Sequence, residues 1–190
     1  MFRTLSLALF LLLAPFAGAE DSGLPNPQVV IKTSQGDITV RLFRDKAPVT
    51  VENFLKYVDA GHYSGTIFHR VIPNFMIQGG GFLPDLQEKA TGDPIVNESN
   101  NRLHNIRGSI AMARTADPDS ATAQFFINQR TNLRLDWTPG NPGYTVFGEV
   151  TDGMNVVDYI STAPVQKVGP HDDVPVQPVI IQEIVRKSLL

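Results

Sequence analysis

In residues 68–81, Phe-His-Arg-Val-Ile-Pro-Asn-Phe-Met-Ile-Gln-Gly-Gly-Gly, the guanidinium of Arg70 and the amide of Gln78 stand among Phe68, Val71, Ile72, Phe75, Met76 and Ile77. Strand-like runs of this composition bury one face, and a guanidinium enters an apolar surface only with a partner or a task. The alternative is an Arg that lays its stem on the apolar surface and solvates its head. An Arg with a task would be a fixed hydrogen-bond donor, charged throughout the working pH range of a protein. Two later segments have the same mixed character. Residues 110–128 close on Gln124-Phe125-Phe126-Ile127-Asn128, and residues 144–148 read Tyr-Thr-Val-Phe-Gly.

Other chemistries lack their residues. His62, His69, His104 and His171 are scattered, with no His-Glu-x-x-His spacing and no Cys to join them, so no metal is expected. Gly79-Gly80-Gly81 is not followed by the Lys-Ser/Thr of a phosphate loop, and no Gly-x-Ser-x-Gly elbow occurs. His69, beside Arg70, falls on the opposite side of an alternating strand and reads as structural. A net charge of −3 offers no electrostatic footprint for nucleic acid.

The elements that would position these residues follow from periodicity. Val29–Thr33 and Ile38–Leu42 alternate around Ser34-Gln35-Gly36-Asp37, a hairpin signal. Val51, Phe54, Leu55 and Val58 then fall at helical spacing, with Pro48 near the start and Gly61 past the end. Short strands are expected at Thr66–Ile72, Phe75–Gln78, Ser109–Met112, Phe125–Asn128, Val146–Val150 and Val179–Val185, with a second helix over Met154–Ser161. Many short strands with two helices suggest a closed antiparallel barrel, since closure removes exposed edges. Leu83–Asn105 is the most irregular stretch, and its Asn97-Glu98-Ser99 matches a glycosylation triplet of a kind that is common by chance.

With 190 residues, 42% apolar and 18% charged, the chain has the length and composition of one globular domain. Residues 1–19 read as a cleavable signal peptide: Arg3, the apolar run Leu5–Leu13, then Ala17-Gly18-Ala19. That apolar run is shorter than the roughly twenty residues of a membrane span. Residues 20–28 read as an extended lead-in and residues 29–190 as the domain. There is no Cys for lipid attachment or a disulfide. A periplasmic protein without a membrane anchor is expected.

Taken together, the three chemistry-bearing segments resemble the cyclophilin family of peptidyl-prolyl cis–trans isomerases, in its short bacterial periplasmic form. The matching motifs run in family order from Val29 to Val185. The resemblance implies a mainly β fold: a closed eight-stranded antiparallel β-barrel capped by two α-helices. It implies a monomeric enzyme without cofactor that isomerises X–Pro bonds in unfolded or partly folded exported proteins. Arg70 matches the family's catalytic arginine, and Gln78, with Gln124, its polar wall. Phe75, Met76, Phe126 and Leu135 match positions lining the proline pocket, although taken alone they would read as barrel core. Ala113 and Arg114 match the groove segment that holds the residue before proline. Arg114 replaces an Asn common in the family, and Tyr144 stands where eukaryotic relatives often carry His. Arg134 replaces the Trp of drug-sensitive relatives, so cyclosporin-type ligands are expected to bind weakly, and Trp137 has no assigned place in the pocket. The competing reading is a non-catalytic proline-peptide binder, against which the retention of both Arg70 and Gln78 argues.

Overall fold

The computed structural model describes residues 26–187, so the expected signal peptide and most of the lead-in lie outside the described residues. Eight strands form one antiparallel sheet in the order β10-β1-β2-β7-β5-β6-β4-β3. They are β1 (Gln28–Thr33), β2 (Gly36–Leu42), β3 (Phe68–Ile72), β4 (Met76–Gly79), β5 (Ser109–Met112), β6 (Phe125–Asn128), β7 (Val146–Asp152) and β10 (Ile181–Arg186). Each corresponds to a strand expected from periodicity. The two helices, α1 (Pro48–Asp59) and α2 (Met154–Ser161), do so as well.

The closed barrel does not form. The sheet is an open, strongly curled half-barrel whose outer strands, β3 and β10, share no ladder. Their chains meet at the starts of the two strands, through the isolated bridge Ile67↔Ile180 and through Phe68 N–H donating to Val179 O and Ile181 N–H to Thr66 O. A separate hairpin of β8 (Val165–Val168) and β9 (His171–Pro175) lies beside β3 instead. Periodicity missed this hairpin because β8 is exposed along its whole length and carries no alternation to read.

The inner face of the curl holds the main core. Phe54 of α1 drives into it and meets Tyr63, Phe125 and Phe147 at ring separations of 5.2, 5.7 and 5.2 Å. Phe68, Phe125 and Phe147 are fully buried there, as expected of core residues, and Val157 and Ile160 bring α2 into the same cluster. The N-terminus of α1 starts at Pro48 with no cap from Ala47. Its free N–H groups are met from the irregular stretch: the Glu98 carboxylate accepts from Val49 N at 3.2 Å, Thr50 N at 2.8 Å and Thr50 Oγ1 at 2.7 Å. The amide of Asn97 is engaged too, donating to the carbonyls of Pro142 and Gly143. Among the described residues, no helix is long and apolar enough to cross a membrane.

Candidate active site

A pleated strand sends alternate side chains to opposite faces, and here the outer face carries a second, smaller apolar cluster. Ile77, Ile110, Phe125, Ile127 and Phe147 point into the main core. Their neighbours Met76, Ala111, Phe126 and Val146 form the outer cluster, against which Phe75, Ala113, Leu135 and Tyr144 pack. Strand register lines up its central row. Arg70 pairs with Gln78, Gln78 with Phe126, Phe126 with Ala111, and Ala111 with Val146, across β3, β4, β6, β5 and β7. One donor, one amide and an apolar floor therefore share a single line on the surface.

This row opens into a cavity of about 100 Å³ lined by Arg70, Phe75, Met76, Gln78, Ala113, Arg114, Phe126, Leu135 and Tyr144. That is room for a small ring. Met76 and Phe126 are 2% and 4% exposed and make the floor. Phe75 sits in the turn ahead of β4 rather than within the strand, and its carbonyl accepts from Gln129 N at 3.0 Å and Asn132 Nδ2 at 2.9 Å. Leu135 ends a short 3-10 turn, Leu133–Leu135, and its carbonyl accepts from Tyr144 N at 2.9 Å, which joins two walls. Tyr144 meets Phe126 edge-on at 5.6 Å.

The loop bearing Leu135 hangs on a buried polar network. Asn132 donates to Asn128 Oδ1 at 2.7 Å, and Asn128 donates to Asn105 Oδ1 and Ser109 Oγ. Asp136 accepts from Asn105 N and Nδ2 at 2.7 and 2.9 Å and bonds His104 Nδ1 at 2.7 Å. Burial pushes the Asp136 carboxyl up, but the bonds from Asn105 and His104 outweigh it and hold it below its usual range.

Gln124 completes the polar wall without lining the cavity. Its Oε1 accepts from Gln78 Nε2 at 3.1 Å, and its own Nε2 donates to Glu88 Oε1 at 3.3 Å. A carboxylate only accepts. Glu88 therefore fixes the sense of the Gln124 amide, whose oxygen takes the Gln78 NH₂. The triple glycine makes room for this arrangement. A Cβ on Gly81 would lie 2.5 Å from Gln124 Cδ, whereas a Cβ on Gly80, which has φ of +88°, would strike the rings of Tyr63 and Phe125.

All ten expected site residues converge, nine on the cavity and Gln124 behind it. The Arg114 side chain is engaged as well: Nε and Nη2 donate to Gly143 O at 3.1 and 2.8 Å, and its head stacks on Tyr144 at 4.5 Å. Arg134 stacks on Phe75 at 4.9 Å. His69 stays out of the pocket, buried edge-on to Phe82 at 4.6 Å, where a register irregularity separates Phe68 from Arg70. Trp137 is 46% exposed and does not line the cavity. Sequence reasoning missed Glu88, Ala111 and Val146. The strand alternation of β5 and β7 pointed to Ala111 and Val146, but nothing local pointed to Glu88.

Comparison with known proteins agrees with this architecture. The family described as cyclophilin type peptidyl-prolyl cis-trans isomerase/CLD matches residues 28–186. A peptidyl-prolyl cis-trans isomerase of Acinetobacter baylyi is 52% identical, with 87% of this chain and 88% of the relative covered. Peptidyl-prolyl cis-trans isomerase B of Escherichia coli is 54% identical, with 82% and 97% covered. Among solved structures, a cyclophilin type isomerase of Cryptosporidium parvum in the presence of the dipeptide Ala-Pro is 31% identical, with a TM-score of 0.74 and 85% and 99% covered.

Proposed function

We propose a division of labour within a chain that belongs to the cyclophilin-type peptidyl-prolyl cis–trans isomerases: the outer-face pocket holds a proline ring while Arg70 acts on the prolyl nitrogen. The reaction is rotation about the X–Pro bond, which resonance opposes with a barrier of about 18–20 kcal/mol. Uncatalysed exchange takes tens to hundreds of seconds. No bond is made or broken, so the catalyst has only to bind the twisted amide better than either planar form.

The chain's residues meet that requirement. As conjugation is lost, the prolyl nitrogen pyramidalises and gains a lone pair, and a guanidinium beside it strengthens its hydrogen bond only in the twisted state. Arg70 is exposed at the rim, next to Gln78 on the adjoining strand. Phe75, Met76, Phe126 and Leu135 take the ring. Burying its three methylenes yields about 2.4 kcal/mol, weak enough to release both isomers. The Gln78 oxygen, aimed by Gln124 and Glu88, accepts from a substrate backbone N–H. Ala113, Arg114 and Tyr144 hold the residue before proline. The Ala-Pro dipeptide accompanying the Cryptosporidium parvum structure is a ligand of the size this cavity would take.

The observation that carries the assignment is the single outer-face row that puts Arg70 and Gln78 at the edge of an apolar floor. Charge-assisted bonds contribute about 1.5–3 kcal/mol, or roughly 10- to 150-fold in rate. Arg70→Ala is expected to lose at least tenfold in kcat/KM in a protease-coupled assay while keeping its circular dichroism. Wild-type turnover by the folded variant would sink the mechanism and favour the pure peptide binder.

We read the setting as the periplasm and the clients as exported proteins, because Arg3, Leu5–Leu13 and Ala17-Gly18-Ala19 have the order of a cleaved signal. Protein recovered from a periplasmic fraction is expected to begin at Glu20 by intact mass. Recovery of the whole chain in the membrane pellet would reverse this reading.

A further inference from the structure

Positive charge rims the pocket, and the protein leaves it uncompensated. Arg70 and Arg114 line the cavity itself. Arg130 and Arg134 line a shallow recess that shares Phe75 with it. Two of these heads are held in place, Arg134 on the Phe75 ring and Arg114 on the Tyr144 ring. The hydrogen bonds of Arg114 go to the carbonyls of Gly143 and Thr115, which leave its charge whole.

Of the eleven other Lys and Arg among the described residues, six meet a carboxylate: Lys32, Arg41, Lys46, Arg107, Lys167 and Arg186. Among the described residues, none of the four arginines around the pocket has a carboxylate within ion-pair distance. Three acids of the adjoining segments make their bonds elsewhere. Asp136, beside Leu135, is 8% exposed and bound to Asn105 and His104. Asp172, whose carboxyl feels the charge of Arg70, pairs with Lys167. Glu88 faces Gln124. In a chain of net charge −3 this gathering is local, and it leaves the site open to a carboxylate from outside.

We infer that the site, taken as the X–Pro site proposed above, selects polypeptides with Asp or Glu next to the proline. An extended chain rises about 3.3 Å per residue, so side chains flanking a seated ring fall along the rim. Guanidinium forks match carboxylates in shape as well as sign. The acid is not needed for rotation, so neutral peptides also turn over. The charge acts on encounter and on KM, and salt weakens it.

The test is a protease-free exchange assay by NMR on the whole protein, because a coupling protease has charge preferences of its own. Peptides would differ only in the residue before or after proline, carrying Glu, Ala or Lys. An exposed ion pair is worth up to about fivefold. The expected order of kcat/KM at low salt is Glu, then Ala, then Lys, spanning on the order of tenfold and set by KM. High salt should close the span by changing the Glu and Lys peptides and sparing the Ala peptide. The double variant Arg130→Glu/Arg134→Glu, both positions being exposed, should narrow the order or reverse it. Equal turnover of the three peptides at low salt would overturn the inference, and so would a ranking that salt leaves intact. The wild-type series decides even if the variant does not fold. No turnover of any peptide would instead overturn the isomerase reading on which the inference rests.

Discussion

Two adjacent glycines separate catalysis from folding in a way that can be measured. Gly81 has no positive φ, and the atoms a Cβ would crowd there are Cγ, Cδ and Nε2 of Gln124, the end of a flexible side chain. Gly81→Ala is therefore expected to fold and to melt close to wild type, while pushing Gln124 off Gln78 and lowering kcat/KM several-fold. Gly80 has φ of +88° and faces the rings of Tyr63 and Phe125. Gly80→Ala carries the left-handed penalty of roughly 1–2 kcal/mol plus displacement of core rings, so its loss is expected in stability. Urea unfolding and isomerase assays on the two variants should show opposite profiles; two variants that lose activity and stability in the same proportion would contradict this account. The same neighbourhood shows how far residues can be read from sequence. Arg70, Gln78 and Phe126 were legible because a guanidinium among large apolar side chains calls for a partner or a task and because the order of their segments is that of a family. Glu88 was not, since its part is set by Gln124, which only tertiary structure brings beside it. Arg134 was legible as a departure, yet its stacking on Phe75 depends on the 3-10 turn and had no local signal.

At the scale of elements, α1 depends on a cap supplied from a distant loop. Ala47 contributes no side-chain bond, and Pro48 has no N–H to satisfy, so the first free donors are those that Glu98 meets. A carboxylate there also sits favourably against the helix dipole. Glu98→Ala is expected to destabilise the protein by about 1–2 kcal/mol, lowering Tm by roughly 3–6 °C in a domain of this size. Glu98→Gln should recover part of the loss, because an amide oxygen still accepts. Melting of Glu98→Ala at the wild-type temperature would show that the cap contributes nothing. Both helices and the strands β1 and β2 were legible from their own periods of apolar residues, whereas β5 and β6, buried at every position, were legible only as short apolar runs. The cap was not, because the residue that supplies it lies in the stretch without periodicity. The barrel reading failed for a related reason. Strand count and alternation say which faces are buried, but not whether the last strand pairs with β3, beside which lies a hairpin whose first strand has no alternation to read.

At the scale of the whole molecule, stability and catalysis should answer to pH separately. The proposed mechanism uses no titrating base, so kcat/KM is expected to stay flat from about pH 6 to 8. Stability is different, because His69 is 5% exposed and its Nδ1 has no partner. Burial, with the nearby charges of His171 and Arg70, lowers its pKa from 6.5 to about 4. The folded form thus resists a proton that the unfolded chain accepts. Between these two values the unfolded state binds more protons, so stability is complete above pH 6.5 and falls as pH drops toward 4, levelling off below. Burial also lowers His62, which adds to the same slope. The depressed carboxyls of Asp59 and Asp158, held down first by hydrogen bonds from Arg186 and Arg107, act lower, since their contribution persists until pH falls below the ordinary carboxylate range. Urea unfolding at pH 7 and pH 5 is therefore expected to differ by about 2 kcal/mol on account of His69. In His69→Gln that difference should shrink even if the variant is weaker at both pH values, because the substitution removes the titrating group whatever it does to packing. A wild-type protein equally stable at pH 7 and pH 5 would mean that protonated His69 is accommodated in place. So would a variant that keeps the full pH dependence, and β3 would then have to yield at its register irregularity, one residue from Arg70.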